Sequence, residues 1–402
     1  MKGTFQAVRV SDRIYWVGAV DWELRDFHGY RTPRGSTYNA YLVTGSEPVL
    51  IDTVKSAFLP EMLSRIASVM DPKEIRHIIS NHSEMDHTGS LPQTLQIVQP
   101  DRLYASANGA KALAAHFHWD QDVQVVKDGD RIELGDASFR FVDTRMLHWP
   151  DSMFTFVESD GVLFSNDGFG MHLASMERFD DEVDEAILEQ EGAKYYANIL
   201  MPFSPLVRKL LDRFPSLGLD VSVIAPDHGP IWRKNPGRIM EWYRRWSTQA
   251  PTDRAVVLFS TMWGSTRKMA LAIADGLAAG GVSPRVMSLG TSHRSDLATS
   301  VLDAGALVVG APTMNNNVFP VMADAMTYLK GLKPQNLVGA VFGSYGWSGE
   351  SITYLEQMLS DMKVDRVADS VRVQYVPDGD ALEHCRQLGL TVAGAMKEKM
   401  TM

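Results

Sequence analysis

The chain of 402 residues has one cysteine, Cys385. A disulfide framework needs at least two, and a rubredoxin-type or cysteine-ligated iron–sulfur centre needs several, so neither is built within this chain. No apolar run reaches the length of a membrane span, and Met1-Lys2-Gly3-Thr4-Phe5 lacks a signal-peptide core. The expectation is a cytoplasmic protein without a membrane partner. Low-complexity segments and short repeats are missing. So is any basic excess: 39 Lys and Arg against 49 Asp and Glu leave a net charge of −10. That balance argues against nonspecific nucleic-acid binding and allows a small basic partner to be steered in. What remains, 45% apolar and 22% charged, is ordinary for globular protein, with length enough for two domains or three.

Against this background, Asn81-His82-Ser83-Glu84-Met85-Asp86-His87-Thr88-Gly89 concentrates metal-competent side chains directly after the apolar run Ile78-Ile79. A strand would send alternate residues to opposite faces, whereas a loop leaving a strand can turn His82, Glu84, Asp86 and His87 toward one point. Two imidazoles and two carboxylates exceed what a closed, thiolate-rich structural zinc site takes. Joined by ligands from elsewhere, they suit a pair of harder, redox-capable ions such as iron or manganese. A polar surface loop rich in His and acid would read the same in isolation.

Three further candidates follow strand-like runs: His148 after Phe139–Thr144, Asp167 after Val162–Asn166, and His228 after Val221–Asp227. Strand ends on a rigid scaffold are where active sites are commonly built, although a lone His there is more often a hydrogen-bonded structural residue. Nine of the eleven histidines precede residue 250. That region reads as short strands (13–18, 40–43, 48–51, 123–126, 138–142, 153–157, 162–164) with a helical pattern over 59–70. The pattern suggests stacked sheets flanked by helices.

The polar, proline-containing segment Thr248–Asp253 marks a boundary, after which strand and helix alternate. Arg254–Phe259 reads as a buried strand delivering Ser260-Thr261-Met262-Trp263-Gly264-Ser265-Thr266. A helix with Met269, Ile273 and Leu277 on its apolar face follows, ending at Gly280-Gly281. Such a loop binds phosphate through backbone N–H groups and the helix dipole, and the missing Lys of the nucleotide-triphosphatase pattern argues against ATP. Ala306–Gly310 leads to Ala311-Pro312-Thr313-Met314-Asn315-Asn316-Asn317. Val338–Phe342 leads to Gly343-Ser344-Tyr345-Gly346-Trp347-Ser348-Gly349. Three such loops form one crevice at the carboxyl edge of a parallel sheet.

The pattern His82-x-Glu84-x-Asp86-His87, then His148, Asp167 and His228, resembles the diiron site of the flavodiiron proteins, especially their rubredoxin-dependent, oxygen-reducing members. The likeness covers nearly the whole chain and includes Arg25–Tyr30, Thr37–Tyr41 and Met146–Met153. The three later loops resemble the phosphate loop and ring-flanking loops of flavodoxins. The resemblance implies an α+β and α/β chain: a metallo-β-lactamase-like αββα sandwich over 1–250, then a flavodoxin-like doubly wound parallel sheet over 251–402. It implies two irons, one held by His82, Glu84 and His148, the other by Asp86, His87 and His228, with Asp167 between them. It implies FMN against Thr261, Met262, Trp263, Gly264, Ser265 and Thr266; Pro312, Thr313, Asn315, Asn316 and Asn317; and Ser344, Tyr345, Gly346, Trp347, Ser348 and Gly349. His28, Tyr30, His172 and Tyr195, polar residues in matching segments, are expected to line the substrate pocket.

The activity so implied is reduction of dioxygen to water, of nitric oxide to nitrous oxide, or of both, with electrons from a separate rubredoxin-type donor. A head-to-tail homodimer, or a dimer of such dimers, would bring the FMN of one chain to the metals of the other. Two other readings exist: a zinc hydrolase with a flavodoxin domain, and a pure electron-transfer protein with a structural first domain. Glu84 stands where the zinc hydrolases of the superfamily would carry His, which separates the first of these from the iron reading.

Overall fold

The computed structural model describes residues 4–401. The chain forms two compact units, Met1–Tyr195 with Pro205–Arg244, and Tyr196–Ser204 with Arg245–Met402. Among the described residues no helix is long and apolar enough to cross a membrane.

The first unit is built on two sheets. In the seven-stranded sheet the order is Val8–Arg9, Ile14–Trp16, Tyr41–Val43, Val49–Ile51, His77–Ser80, Arg102–Ser106, Val123–Val126. Its first four strands pair antiparallel and the remainder parallel. The five-stranded sheet runs Arg131–Leu134, Ala137–Asp143, Met153–Val157, Val162–Phe164, Val223–Ala225. Strand alternation decides what each sheet covers. Val49, Ile51 and Ile79 point inward to meet Phe139, Phe141, Val157 and Phe164 of the other sheet. Their neighbours Leu50 and Ile78 point outward, against Met62, Ile66, Leu91 and Leu113 of the flanking helices. The expected strands are present, several of them shorter than read, and the helix that begins at Leu59 ends at Ala67 rather than Met70.

In the second unit a parallel sheet has the order Ser283–Ser288, Arg254–Phe259, Ala306–Gly310, Val338–Tyr345, Asp365–Arg366, with Val371–Gln374 pairing the later half of Val338–Tyr345. This is the flavodoxin-type doubly wound order. Val256, Leu258, Leu307 and Val309 face the helices Arg294–Val301, Pro320–Leu332 and Glu350–Asp361. Ala255, Val257, Phe259 and Val308 face Ser265–Ala279 and Gly379–Thr401. Those last two helices cross with backbones in contact: a Cβ on Gly276 would strike the Arg386 carbonyl, and one on Gly389 the Ile273 carbonyl. Both sheet faces are therefore covered, which is why the strands read as continuous apolar runs rather than alternating ones.

Candidate metal centre and cofactor crevice

The loop after His77–Ser80 is fixed before it reaches the cluster. Asn81 donates from its backbone N and from Nδ2 to the two oxygens of buried Asp52, 2.7 Å each, and its Oδ1 accepts from Thr155 Oγ1 at 2.6 Å. The loop base is thus tied to both sheets. Glu84 is extended, and a single helical turn over Met85–Thr88 follows where the sequence suggested only a loop. Thr88 Oγ1 closes the turn on the carbonyls of Ser83 and Glu84, 2.9 Å each, while Thr53 holds the His87 carbonyl. The turn swings Asp86 and His87 to one side of His82 and Glu84.

The seven candidate side chains converge in two groups. His82, Glu84, His148 and Asp167 form one, and Asp86, His87 and His228 the other, with donor atoms within 4.8 Å of one another in each. Asp167 reaches both. Its Oδ2 is 3.0 Å from His148 Nε2 and 3.3 Å from His82 Nε2. Its Oδ1 is 3.3 Å from both His87 Nε2 and His228 Nε2. Behind the imidazoles stand groups that orient the rings. His82 Nδ1 faces Asp151 Oδ2 at 3.3 Å, His228 Nδ1 donates to the Thr37 carbonyl at 2.6 Å, and His87 Nδ1 lies 3.6 Å from Asp227 Oδ2. Such outer partners fix the tautomer so that Nε2 points at a metal. Asp151 and Asp227 both lie in segments singled out from the sequence. A carboxylate next to or near a candidate His was the available signal, and it assigned them no part.

Burial would neutralise these groups, and their mutual charge opposes it. Burial pulls His82 down, yet hydrogen bonds with Asp151, Asp167 and Glu84 lift it well above the usual imidazole range. His87 rises to about 10 against burial because Asp86, Asp167 and Asp227 surround it. His148 rises likewise through Asp167 and Glu84. Burial would raise Glu84, but His148 and His82 draw it down to about 2. Asp86 and Asp167 also fall below the carboxylate range, overcoming burial through His87 and its neighbours. The carboxylates and imidazoles are thus arranged to favour positive charge between them. Even so, both oxygens of Asp86, both ring nitrogens of His87 and Asp167 Oδ1 lack a hydrogen-bond partner in the interior. Buried polar atoms left this way are costly. An oxygen- and nitrogen-rich set without sulfur, sharing one carboxylate, fits two iron-like ions.

A cavity of about 620 Å³ opens onto Glu84 and Asp86, with His28, Phe27, Lys55 and Met85 among its walls. His28 is exposed, its Nε2 3.8 Å from Glu84 Oε1. The other three expected pocket residues do not line this opening. Tyr30, His172 and Tyr195 are buried behind His228 and Phe27. The His172 ring lies 4.7 Å from that of His228 and 5.1 Å from that of Tyr195, and Ser36 Oγ is 2.8 Å from His172 Nδ1. Burial holds His172 well below the usual imidazole range, with the nearby His228 adding to the effect. Lys55, unnoticed in the sequence, brings a cation to the opening, its Nζ 2.6 Å from the Tyr38 hydroxyl.

In the second unit a cavity of about 580 Å³ joins all three predicted loops. Thr261, Met262, Trp263 and Ser265 line it with Pro312, Thr313, Asn315 and Asn316, and with Ser344, Tyr345, Gly346, Trp347 and Ser348. Gly264, Thr266, Asn317 and Gly349 do not line it. Gly264 takes φ 89° ahead of the helix, and Thr266 is buried with its hydroxyl 2.9 Å from Ser344 Oγ. Asn317 turns its side-chain oxygen onto the backbone N of Val318, and Gly349 caps Glu350–Asp361. Met314, Tyr375 and Val376 belong to the wall and were missed. Tyr375 and Val376 follow Val371–Gln374, a further strand end at the same sheet edge that its short β-branched alternation could have revealed. Trp263 and Trp347 are 91% and 84% exposed, so they serve as flat apolar walls rather than as core.

Residues 37–229 match the family model of the ODP family beta lactamase, and residues 257–389 match that of flavodoxin. A nitric oxide reductase of Moorella thermoacetica is 43% identical, the match covering 98% of this chain and 100% of that protein. The structure of rubredoxin oxygen:oxidoreductase from the anaerobe Desulfovibrio gigas superposes with a TM-score of 0.97 at 41% identity, covering 99% of this chain and 100% of the other. The flavodiiron protein from Giardia intestinalis does so with a TM-score of 0.94 at 31% identity, covering 98% of each chain. Likeness at this level runs through both units, and the chain belongs to the flavodiiron protein family.

Proposed function

We propose that the protein is an oxidoreductase that takes electrons from a rubredoxin-type donor through FMN to a non-haem diiron centre and there reduces dioxygen, nitric oxide or both. The observation that supports this most is Asp167, whose two oxygens face separate His pairs, as a carboxylate shared by two ions requires. In this reading His82, Glu84 and His148 hold one iron, Asp86, His87 and His228 the other. When bound, the flavin supplies electrons singly or in pairs and the iron pair supplies a site where a small gas is held and reduced.

The remaining work falls to the chain. Asp151, Asp227 and the Thr37 carbonyl keep three imidazoles in one tautomer. Phe27 and the rings of Tyr30 and Tyr195 wall off water on the His228 side. Proton supply at the opening is assigned to His28, whose Nε2 lies on the solvent side of Glu84, and on the inner side to His172 and Tyr195. The cavity in the second unit, lined by residues 261–263, 265, 312–316, 344–348 and 375–376, takes FMN, with the Ser/Thr/Gly loop ahead of Ser265–Ala279 on its phosphate. The division of labour is 1–250 for the metals and 251–402 for the flavin. A head-to-tail homodimer in the cytoplasm completes the reading, with FMN of one copy serving the metals of the other.

Metal analysis together with parallel consumption of dioxygen and nitric oxide by protein fed with reduced rubredoxin tests this. Iron near two per chain and turnover of at least one gas are expected. Zinc with no consumption of either gas would instead establish the hydrolase reading, against which the named oxidoreductase relatives already weigh. For the dimer, a mixed pair of one FMN-less and one metal-less chain keeps up to half the activity, and no complementation overturns it.

A further inference from the structure

We infer that Trp149 is where this chain passes stray oxidising equivalents from its metal centre out to solvent, an assignment that rests on the oxygen-reducing reading above. Electron transfer between side chains weakens steeply with distance. The oxidisable rings touching the candidate ligands therefore decide where such an equivalent goes. Tyr38, Tyr195 and Trp149 each pack against a ligand ring, at 5.9 Å and 6.1 Å from His228 for the tyrosines and 5.2 Å from His82 for Trp149.

Two of the three lead nowhere. The fully buried Tyr38 donates to Asp21 Oδ2 at 2.9 Å and accepts from Lys55 Nζ at 2.6 Å, with the ammonium 4.6 Å from its ring centroid, and among the described residues no further oxidisable ring carries the path from it to the surface. Tyr195 is fully buried between the rings of His172 and His228, so an equivalent that reaches it comes no nearer to solvent. Trp149 meets neither obstacle. It is half-buried, edge-on to His82 at 87°, and its own ring stacks at 6.2 Å and 15° on that of His116, which is exposed on the helix Ala107–Phe117. One ring thus spans the distance from a ligand to the surface.

The step balances as follows. When donor electrons run short during dioxygen reduction, one electron moves from the Trp149 indole to the oxidised centre, and the indole N–H proton goes to water. The indolyl radical then takes one electron and one proton from a low-molecular-weight thiol, and two thiyl radicals combine to a disulfide.

The test uses iron- and FMN-loaded protein mixed with dioxygen and limiting reduced rubredoxin, frozen early for electron paramagnetic resonance, with parallel samples held for peptide mapping. Expected are an indolyl radical that narrows with ring-deuterated tryptophan and vanishes in Trp149→Phe, and oxidation products several-fold richer at Trp149 than at the other tryptophans. Added thiol diminishes both. Peptide mapping of the unaltered protein keeps the test decisive if the variant fails to fold. A radical on a tyrosine, a signal that survives in Trp149→Phe, or products spread evenly over the tryptophans would overturn the assignment. Failure to consume dioxygen at all would instead sink the proposed function.

Discussion

Asp167 and His228 meet at 3.3 Å through Asp167 Oδ1, the oxygen not used toward His148. One carboxylate so divided between two His groups is what a shared ligand between two ions demands. Asp167→Ala is expected to leave the strand Val162–Phe164 in place and reduce bound iron well below two per chain. Iron analysis by emission spectrometry decides, and full occupancy with full activity would remove the bridging role.

Asp151 touches no ion in the proposed set, yet it faces His82 Nδ1 and accepts from the Ser83 backbone at 2.6 Å. Asp151→Asn should weaken iron binding about 10–100-fold, the usual cost of losing such an outer partner. Competition against a chelator measures it. Unchanged affinity would mean that backbone packing alone orients His82.

The metal-free protein should have a defined pH profile. His87 is raised to about 10 from 6.5, so its contribution is complete below pH 6.5 and is lost as pH climbs through about 10. Glu84 is lowered to about 2 from 4.5, so its contribution is present above pH 4.5 and lost as pH falls through about 2. Melting temperature of the stripped protein should therefore decline from pH 6.5 toward 10, while iron, taking the place of the imidazole protons, flattens that limb. A stripped protein that gains stability on that alkaline limb contradicts the charge arrangement.

Gly264 has open space around its missing Cβ but a φ of 89°. Gly264→Ala should cost about 1–2 kcal/mol through the left-handed backbone alone. The strain falls on the loop that precedes Ser265–Ala279, so FMN affinity, followed by flavin fluorescence, should drop with it. Equal FMN affinity in the variant would separate that loop from phosphate binding.

The cluster of candidate ligands was legible because rare residue types stand at strand ends, where His82, His148, Asp167 and His228 could be read one by one. The doubly wound sheet was legible because strands covered on both faces must be apolar throughout, as in Arg254–Phe259 and Ala306–Gly310. Less of the surroundings could be read. Tyr30, His172 and Tyr195 sit behind His228 instead of lining the opening, because which side of a ligand a ring occupies depends on packing between distant segments. Asp52, Lys55 and Asp227 act through neighbours far away in sequence, and although Asp227 stands beside His228, the ring that it faces is that of His87. Tyr375 was missed although the alternation Val371-Arg372-Val373-Gln374 marks a strand, because that strand pairs only the second half of Val338–Tyr345 and its end is placed at the crevice by that register.

Four of the candidate ligands leave the seven-stranded sheet after His77–Ser80, and His148, Asp167 and His228 come from the ends of strands in the five-stranded one. The metals would therefore act as rivets through the sandwich as well as reagents. Binding that requires the assembled site adds its free energy to folding. A chain made during iron shortage would lack those rivets, open more often and fall sooner to proteases, so the standing amount of enzyme would follow iron supply without any change in its synthesis.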